Sequence, residues 1–193
     1  MASGKLIWLI RHGETEWTQS GQHTGRTEIP LTDLGRQRGL AVARELASRP
    51  FALVLTSPRE RARETCRLAG YGAVAEIEPN LQEYDYGIYE GRTTPDIRKE
   101  VPDWSIWSGP VPEGETLQQV AARAQAVIRR ASAAEGDVAC FAHGHILRIL
   151  AACWLGLPPE GGKSLGLEPG SISLLGHERQ TPVLWLWNRV APL

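Results

Sequence analysis

The feature that most restricts what this chain can fold into is a repeated exchange between two hydrophobic periods. Residues 5–10, 51–55, 73–77 and 137–142 are short apolar runs rich in strand formers, and helically spaced stretches stand between and after them. Residues 32–49 open on Thr32 as the N-cap and space Leu34, Leu40, Val42 and Leu46 along one face. The pattern predicts further helices over 60–69, 116–134 and 146–155, with Thr116 capping the second of these. Two closing strands follow over 171–175 and 183–187, joined by a polar turn at 177–181 that contains His177. Strands that alternate with helices build a largely parallel sheet covered on both faces. The expected class is therefore α/β, a three-layer α/β/α sandwich with a mostly parallel central sheet. Its 193 residues suffice for one such domain, spanning 1–193, without disulfides or a structural metal. Residues 87–115, dense in Pro, Gly and Trp, break the rhythm and are too long for an idle connection, so they read as an excursion covering the active-site end of the sheet.

Composition narrows the partners. The net charge is −1 and no segment concentrates basic residues, which argues against nucleic acid or an anionic membrane. Cys66, Cys140 and Cys153 are odd in number and lack paired spacing, so neither a disulfide framework nor a zinc site is expected, and a reducing cytoplasm is the expected location. The first five residues carry too little charge, and too short an apolar run follows, for a signal peptide or membrane anchor. Trp8, Trp154, Trp185 and Trp187 are expected in the core, and Trp104 and Trp107 over the site. The apolar strand at 183–187 could pair between subunits of a homodimer.

Open parallel sheets bind ligands outside the carboxyl ends of their strands. Arg11 and His12 follow the first predicted strand, Ser57 to Arg61 the second, Glu83 lies shortly after the third, and His143 follows the fourth. Each alone has an ordinary reading. A histidine after a strand is often a hydrogen-bonded loop residue, Arg61 and Arg63 could pair with Glu60 and Glu64 on a helix surface, and Glu83 could be a plain loop acid. Together at one rim they would leave adjacent positive charges unpaired unless an anion such as a phosphoryl group joined them.

The local spelling adds to this. Arg11-His12-Gly13-Glu14-Thr15, then Ser57-Pro58 followed by Arg61-Ala62 and Thr65, then Glu83 ahead of Tyr86-Gly87 and Glu90-Gly91, then His143-Gly144-His145, together resemble the histidine phosphatase superfamily, the phosphoglycerate-mutase-like proteins. The resemblance covers nearly the whole chain. It implies a phosphomonoesterase acting on a small-molecule phosphate ester without metal or cofactor. His12 would be the nucleophile, Arg11, Arg61 and His143 would grip the phosphoryl oxygens, and Glu83 would be the proton donor. Arg11 would disfavour the imidazolium of His12, and Gly13 would let the backbone turn closely. A phosphate dianion beside Glu83 would favour its protonated form, so activity is expected to favour mildly acidic to neutral pH.

Within that superfamily, Trp17-Thr18 and Pro30-Leu31-Thr32 look like the branch of sugar bisphosphatases and broad-specificity acid phosphatases, whereas mutases usually carry Asn in place of Thr18. Phe141 to His145 with Leu147-Arg148, and Trp104 to Trp107 ahead of Glu113 to Thr116, resemble the same branch. Tyr86, Gly144 and His145 would face substrate. Arg148, one helical turn past His143-Gly144, could reach a second phosphate or instead form a surface ion pair. Thr24 could present its hydroxyl and Gly25 its N–H, or Gly25 could simply supply a turn. Three rivals stand beside this reading: a phosphoglycerate mutase, a non-catalytic phospho-ligand binding module, and a metallohydrolase using His12, His143, His145 and Glu83, which Arg11 and Arg61 would oppose.

Overall fold

The computed structural model describes residues 4–193. Residues 1–3, part of the amino-terminal segment expected to be neither signal nor anchor, lie outside the described residues. Six strands form one sheet: β1 Ile7–Arg11, β2 Leu53–Thr56, β3 Glu76–Ile77, β4 Val138–Ala142, β5 Ser171–Glu178 and β6 Thr181–Val190, in the order β3-β2-β4-β1-β5-β6. The first four are mutually parallel, and β5 and β6 close the sheet antiparallel. Strand alternation sends side chains to two separate cores. Ile7 and Leu9 pack with α5 (Leu117–Ala133) and α6 (Gly144–Trp154) on one face, while Trp8 and Ile10 pack with α2 (Asp33–Leu46) and α3 (Glu60–Leu68) on the other. The result is the mixed α/β, three-layer architecture the alternation predicts. No helix among the described residues is long and apolar enough to cross a membrane.

Several boundaries differ from the sequence expectation. Only Glu76–Ile77 of 73–77 pairs with β2. At the outer edge of the sheet only Ala75 of this run packs on the core, and Val74 and Ile77 stay exposed. The closing strands are longer than expected, so His177 lies within β5 with its ring 4.8 Å from that of Trp154, and the turn shrinks to Arg179 and Gln180. Polarity there marks exposure on a hairpin rather than the turn itself. Of the four tryptophans expected in the core, Trp8 and Trp154 are buried and Trp187 is half-buried, but Trp185 is 43% exposed because β6 is an edge strand. Two short helices, α1 (Glu16–Ser20) and α4 (Thr94–Arg98), interrupt stretches that the periodicity leaves irregular.

What this topology does for function is set by register. Arg11 pairs with Ala142 across β1 and β4, and Thr56 pairs with Phe141 across β2 and β4. The residues that leave these three strands, His12, His143 and Ser57, therefore emerge side by side at one carboxyl rim.

Candidate active site

His12 is 4% exposed and held by its own backbone before its ring is considered. Its N–H donates to Ala142 O (2.9 Å), and Gly170 N–H donates to its carbonyl (2.9 Å). The next N–H, of Gly13, donates to Thr65 Oγ1 at 3.0 Å. Gly13 also lies against the backbone of α2, where a Cβ would stand 2.2 Å from Gly35 O. Burial, then the guanidiniums of Arg61 and Arg11, hold the His12 imidazole well below its ordinary pKa, so the ring is neutral. Its Nδ1 lies 2.7 Å from Gly13 O. A carbonyl can only accept, so Nδ1 carries the hydrogen and Nε2 keeps a free lone pair.

Around that ring stand the other candidates. The His143 ring centroid is 5.1 Å from that of His12, and its Nε2 is 2.7 Å from Ser57 Oγ. Burial first, then Arg61, His12 and Arg11, keep it neutral as well. Arg61 is completely buried rather than paired on the helix surface. Its Nη1 donates to Thr27 O (3.0 Å) and its Nη2 to Thr24 O (2.9 Å) and Gly25 O (3.1 Å). Arg63, by contrast, does form the surface pair with Glu60, at 3.3 Å. Arg11 donates through Nη1 to Leu167 O. Among the described residues, Arg11 Nε, Arg61 Nε and His143 Nδ1 are buried without a partner. Buried polar groups are ordinarily paired, so a cluster of orphan nitrogens around one lone pair is the arrangement an oxyanion would complete.

Glu83 is 7% exposed and faces this group. Its Oε1 accepts from Tyr84 N–H (2.9 Å) and Ile146 N–H (3.0 Å), and its Oε2 from His145 N–H (3.0 Å). The carboxylate thus caps α6, whose N-cap residue His143 makes no side-chain cap of its own.

A cavity of about 190 Å³ opens beside these groups, lined by neither Arg61 nor His143. Arg11, His12 and Glu83 line it, with Gly144, His145 and Arg148 from the start of α6, and Trp17, Thr18, Gln22, His23, Thr24 and Tyr86 opposite. A larger cavity of about 490 Å³ lies beside α3 and β3, away from both histidines, and holds none of the candidate residues. No residue of 87–115 lines this cavity, but that segment packs behind its wall. Trp107 of the 87–115 excursion packs against His145 (5.2 Å between centroids), and the Arg148 guanidinium lies 4.5 Å over its ring. Arg148 donates to Gly162 O (3.0 Å) and Lys163 O (3.1 Å) in place of a surface ion pair. Trp104 is buried, with its ring 5.4 Å from that of His23.

Of the remaining candidates, Thr24 lines the cavity, but its hydroxyl donates to Gln22 O (3.1 Å). Gly25 does not present its N–H to the cavity. That group donates to the Glu90 carboxylate at 2.9 and 3.0 Å, and a Cβ there would stand 2.5 Å from Tyr84 O. Thr18 has a structural role besides marking a branch: its hydroxyl accepts from Thr15 N–H (2.8 Å) and closes a capping box on α1. Residues that sequence reasoning does not single out also stand here. Ser57 and Thr65 lie inside the quoted motifs, four residues either side of Arg61, and the helical spacing of Thr65 was a usable signal. His23 gives none. Its burial, which lowers its pKa to about 4, depends on Tyr86 and Trp104 closing over it from distant parts of the chain.

Comparison with known proteins shows the family and the fold. The family model described as histidine phosphatase superfamily (branch 1) matches residues 7–190. An acid phosphatase of Mycobacterium tuberculosis is 39% identical over 97% of this chain and 95% of its own length. A sedoheptulose 1,7-bisphosphatase of Saccharomyces cerevisiae is 37% identical over 77% of this chain and 67% of its own. The solved structure of an open reading frame product from Mycobacterium tuberculosis superposes with a TM-score of 0.92 at 36% identity, covering 97% of this chain and 99% of that one.

Proposed function

Since this chain belongs to the histidine phosphatase superfamily, branch 1, we propose that it hydrolyses small phosphorylated metabolites through a phosphohistidine on His12. The observation that carries the reading is the neutral His12 ring, its Nε2 lone pair free, beside buried unpartnered nitrogens of Arg11, Arg61 and His143. Nε2 attacks phosphorus, the bond to the ester oxygen breaks, and the leaving oxygen takes a proton from Glu83. Fixed guanidinium donors stabilise the charge spread over the equatorial oxygens, with no reorganisation needed as the reaction proceeds. Water then attacks the phosphohistidine and gives its proton to Glu83, which restores the acid. The charged and polar lining of the cavity suits a small phosphate ester. Hydrolysis rather than mutase chemistry is the branch that the acid phosphatase and bisphosphatase relatives favour.

No three His, Cys, Asp or Glu side chains converge as a metal site among the described residues. The guanidiniums of Arg61 and Arg11 beside His12 would oppose a bound cation, so activity should persist in excess chelator. Free Cys66 and Cys140, whose thiols burial pushes up to about 12, suit a reducing cytoplasm.

The deciding experiment is rapid quenching with phosphorus-labelled substrate. An acid-labile adduct on His12, absent from His12→Ala, is expected, and turnover without one would overturn the mechanism. Isomerisation rather than dephosphorylation of 3-phosphoglycerate would overturn the choice of branch.

A further inference from the structure

The carboxylate that serves as acid has one position left for a transferable proton. A carboxylate has about four lone-pair sites. Oε1 of Glu83 already accepts two backbone N–H groups, and Oε2 accepts one. Oε2 is also the oxygen that lies 3.9 Å from Nδ1 of the His145 ring, a nitrogen with one lone pair in the same cavity. Left bare, and with a small shift that closes this gap to hydrogen-bond length, that nitrogen would accept a hydrogen bond from a protonated Oε2 and hold its proton away from the leaving group. It is not bare: Tyr86 Oη lies 2.7 Å from it.

The direction of that bond follows from the surroundings. The charged and titratable groups about the ring are Glu83, Tyr86, His23 from the loop before α2, Arg148 from α6 and Arg11 from β1. Burial, then the guanidinium of Arg148, keeps His145 neutral, and burial, then Glu83, keeps the Tyr86 phenol protonated. The phenol therefore donates, Nδ1 accepts, and the ring hydrogen sits on Nε2.

Building on the phosphatase reading, we propose that Tyr86 is a positioning residue: by filling the Nδ1 lone pair of His145 it leaves the substrate as the only outlet for the proton on Glu83 Oε2. In the step itself the Oε2–H bond breaks as the ester oxygen departs from phosphorus with its bonding pair and takes the proton. Tyr86 gains and loses nothing.

Tyr86→Phe keeps the ring and removes the hydroxyl. At saturating substrate it should slow an alkyl phosphate such as glycerol phosphate roughly 10–100-fold, because that leaving group needs the acid. It should slow 4-nitrophenyl phosphate, whose leaving group does not, at least several-fold less. Adding His145→Phe removes the competing nitrogen while keeping its backbone N–H, and should restore most of the lost alkyl phosphate rate. Equal slowing of both esters, no slowing of either, or no recovery in the double variant would overturn the proposal. Independently of any variant's folding, nitrogen-15 shifts of the unaltered protein should report the Nε2–H tautomer at His145, and the Nδ1–H tautomer would refute it. No turnover of any monoester by the unaltered protein would instead overturn the phosphatase reading on which this rests.

Discussion

Gly13 has no room for a methyl group, and that shortage of space aims the His12 ring. Its backbone must lie against Gly35 while its N–H reaches Thr65 and its carbonyl holds His12 Nδ1. Gly13→Ala should cost about 1–3 kcal/mol of stability by overpacking, and should lower kcat even where the protein stays folded. Denaturant titration and kinetics on one preparation would separate the two, and an unperturbed variant would show that the contact yields freely. Glu83→Gln should slow alkyl phosphates far more than activated aryl esters, and equal slowing of both would remove Glu83 from the acid role. At this scale the legibility of the site was uneven for physical reasons. His12, Arg11 and His143 could be read because each directly leaves a strand whose apolar run is visible in the sequence. Arg61 was harder, since helical spacing alone places it beside Glu60 and Glu64 as a surface charge, and only the surrounding spelling marks it as buried. Gly25 was misjudged as a possible donor because its partner, Glu90, is remote in sequence. His23 was invisible for the same reason.

Helix α6 begins where the chemistry is, and its first turn is capped by a side chain from elsewhere in the chain. Truncating Glu83 to Ala should therefore destabilise the fold by at least about 1–2 kcal/mol, in addition to any effect on rate. Urea unfolding of Glu83→Ala beside Glu83→Gln, which keeps one accepting oxygen, would test this, and an Ala variant as stable as the unaltered chain would contradict the capping role. The long helices were legible because apolar spacing and cap chemistry agree: Thr32 and Thr116 accept from Gly35 and Gln119 as their positions predict. Elements with few apolar residues were not. α1 rests on a Thr15–Thr18 capping box, and β3 is short because a turn, in which Val74 N–H donates to Tyr71 O, precedes it. The edge strand β6 was located from its apolar run, but the register shifts that disrupt its pairing with β5 were not, since a bulge leaves no mark on hydrophobic alternation.

At the scale of the whole molecule, folding buries the imidazoles of His12, His23 and His143 and half-buries that of His145, all in the neutral form. His12, His143 and His145 are held well below the usual pKa, and His23 is lowered to about 4, burial being the largest cause each time. In the unfolded chain these rings take up protons below about pH 6.5, whereas in the native state they resist. The unfolded state thus binds more protons in acid, so the stability these groups contribute is present above about pH 6.5 and is lost as pH falls toward each folded value, for His23 through about 4. Unfolding free energies at pH 7, 6 and 5 should decline by up to about 1.4 kcal/mol per unit for each histidine, and a flat profile would contradict neutral burial. The order of the sheet has another consequence, one for synthesis on the ribosome. β1 and β2, though made early, never touch. β4 lies between them, and its residues 138–142 are translated after more than two thirds of the polypeptide. A nascent chain that has not yet emerged to that point cannot pair its first two strands. It carries uncovered the face that α5 and α6 later cover, while α2 and α3, made earlier, are already at hand for the other, and the surroundings of His12 are complete only once Gly170 has been made.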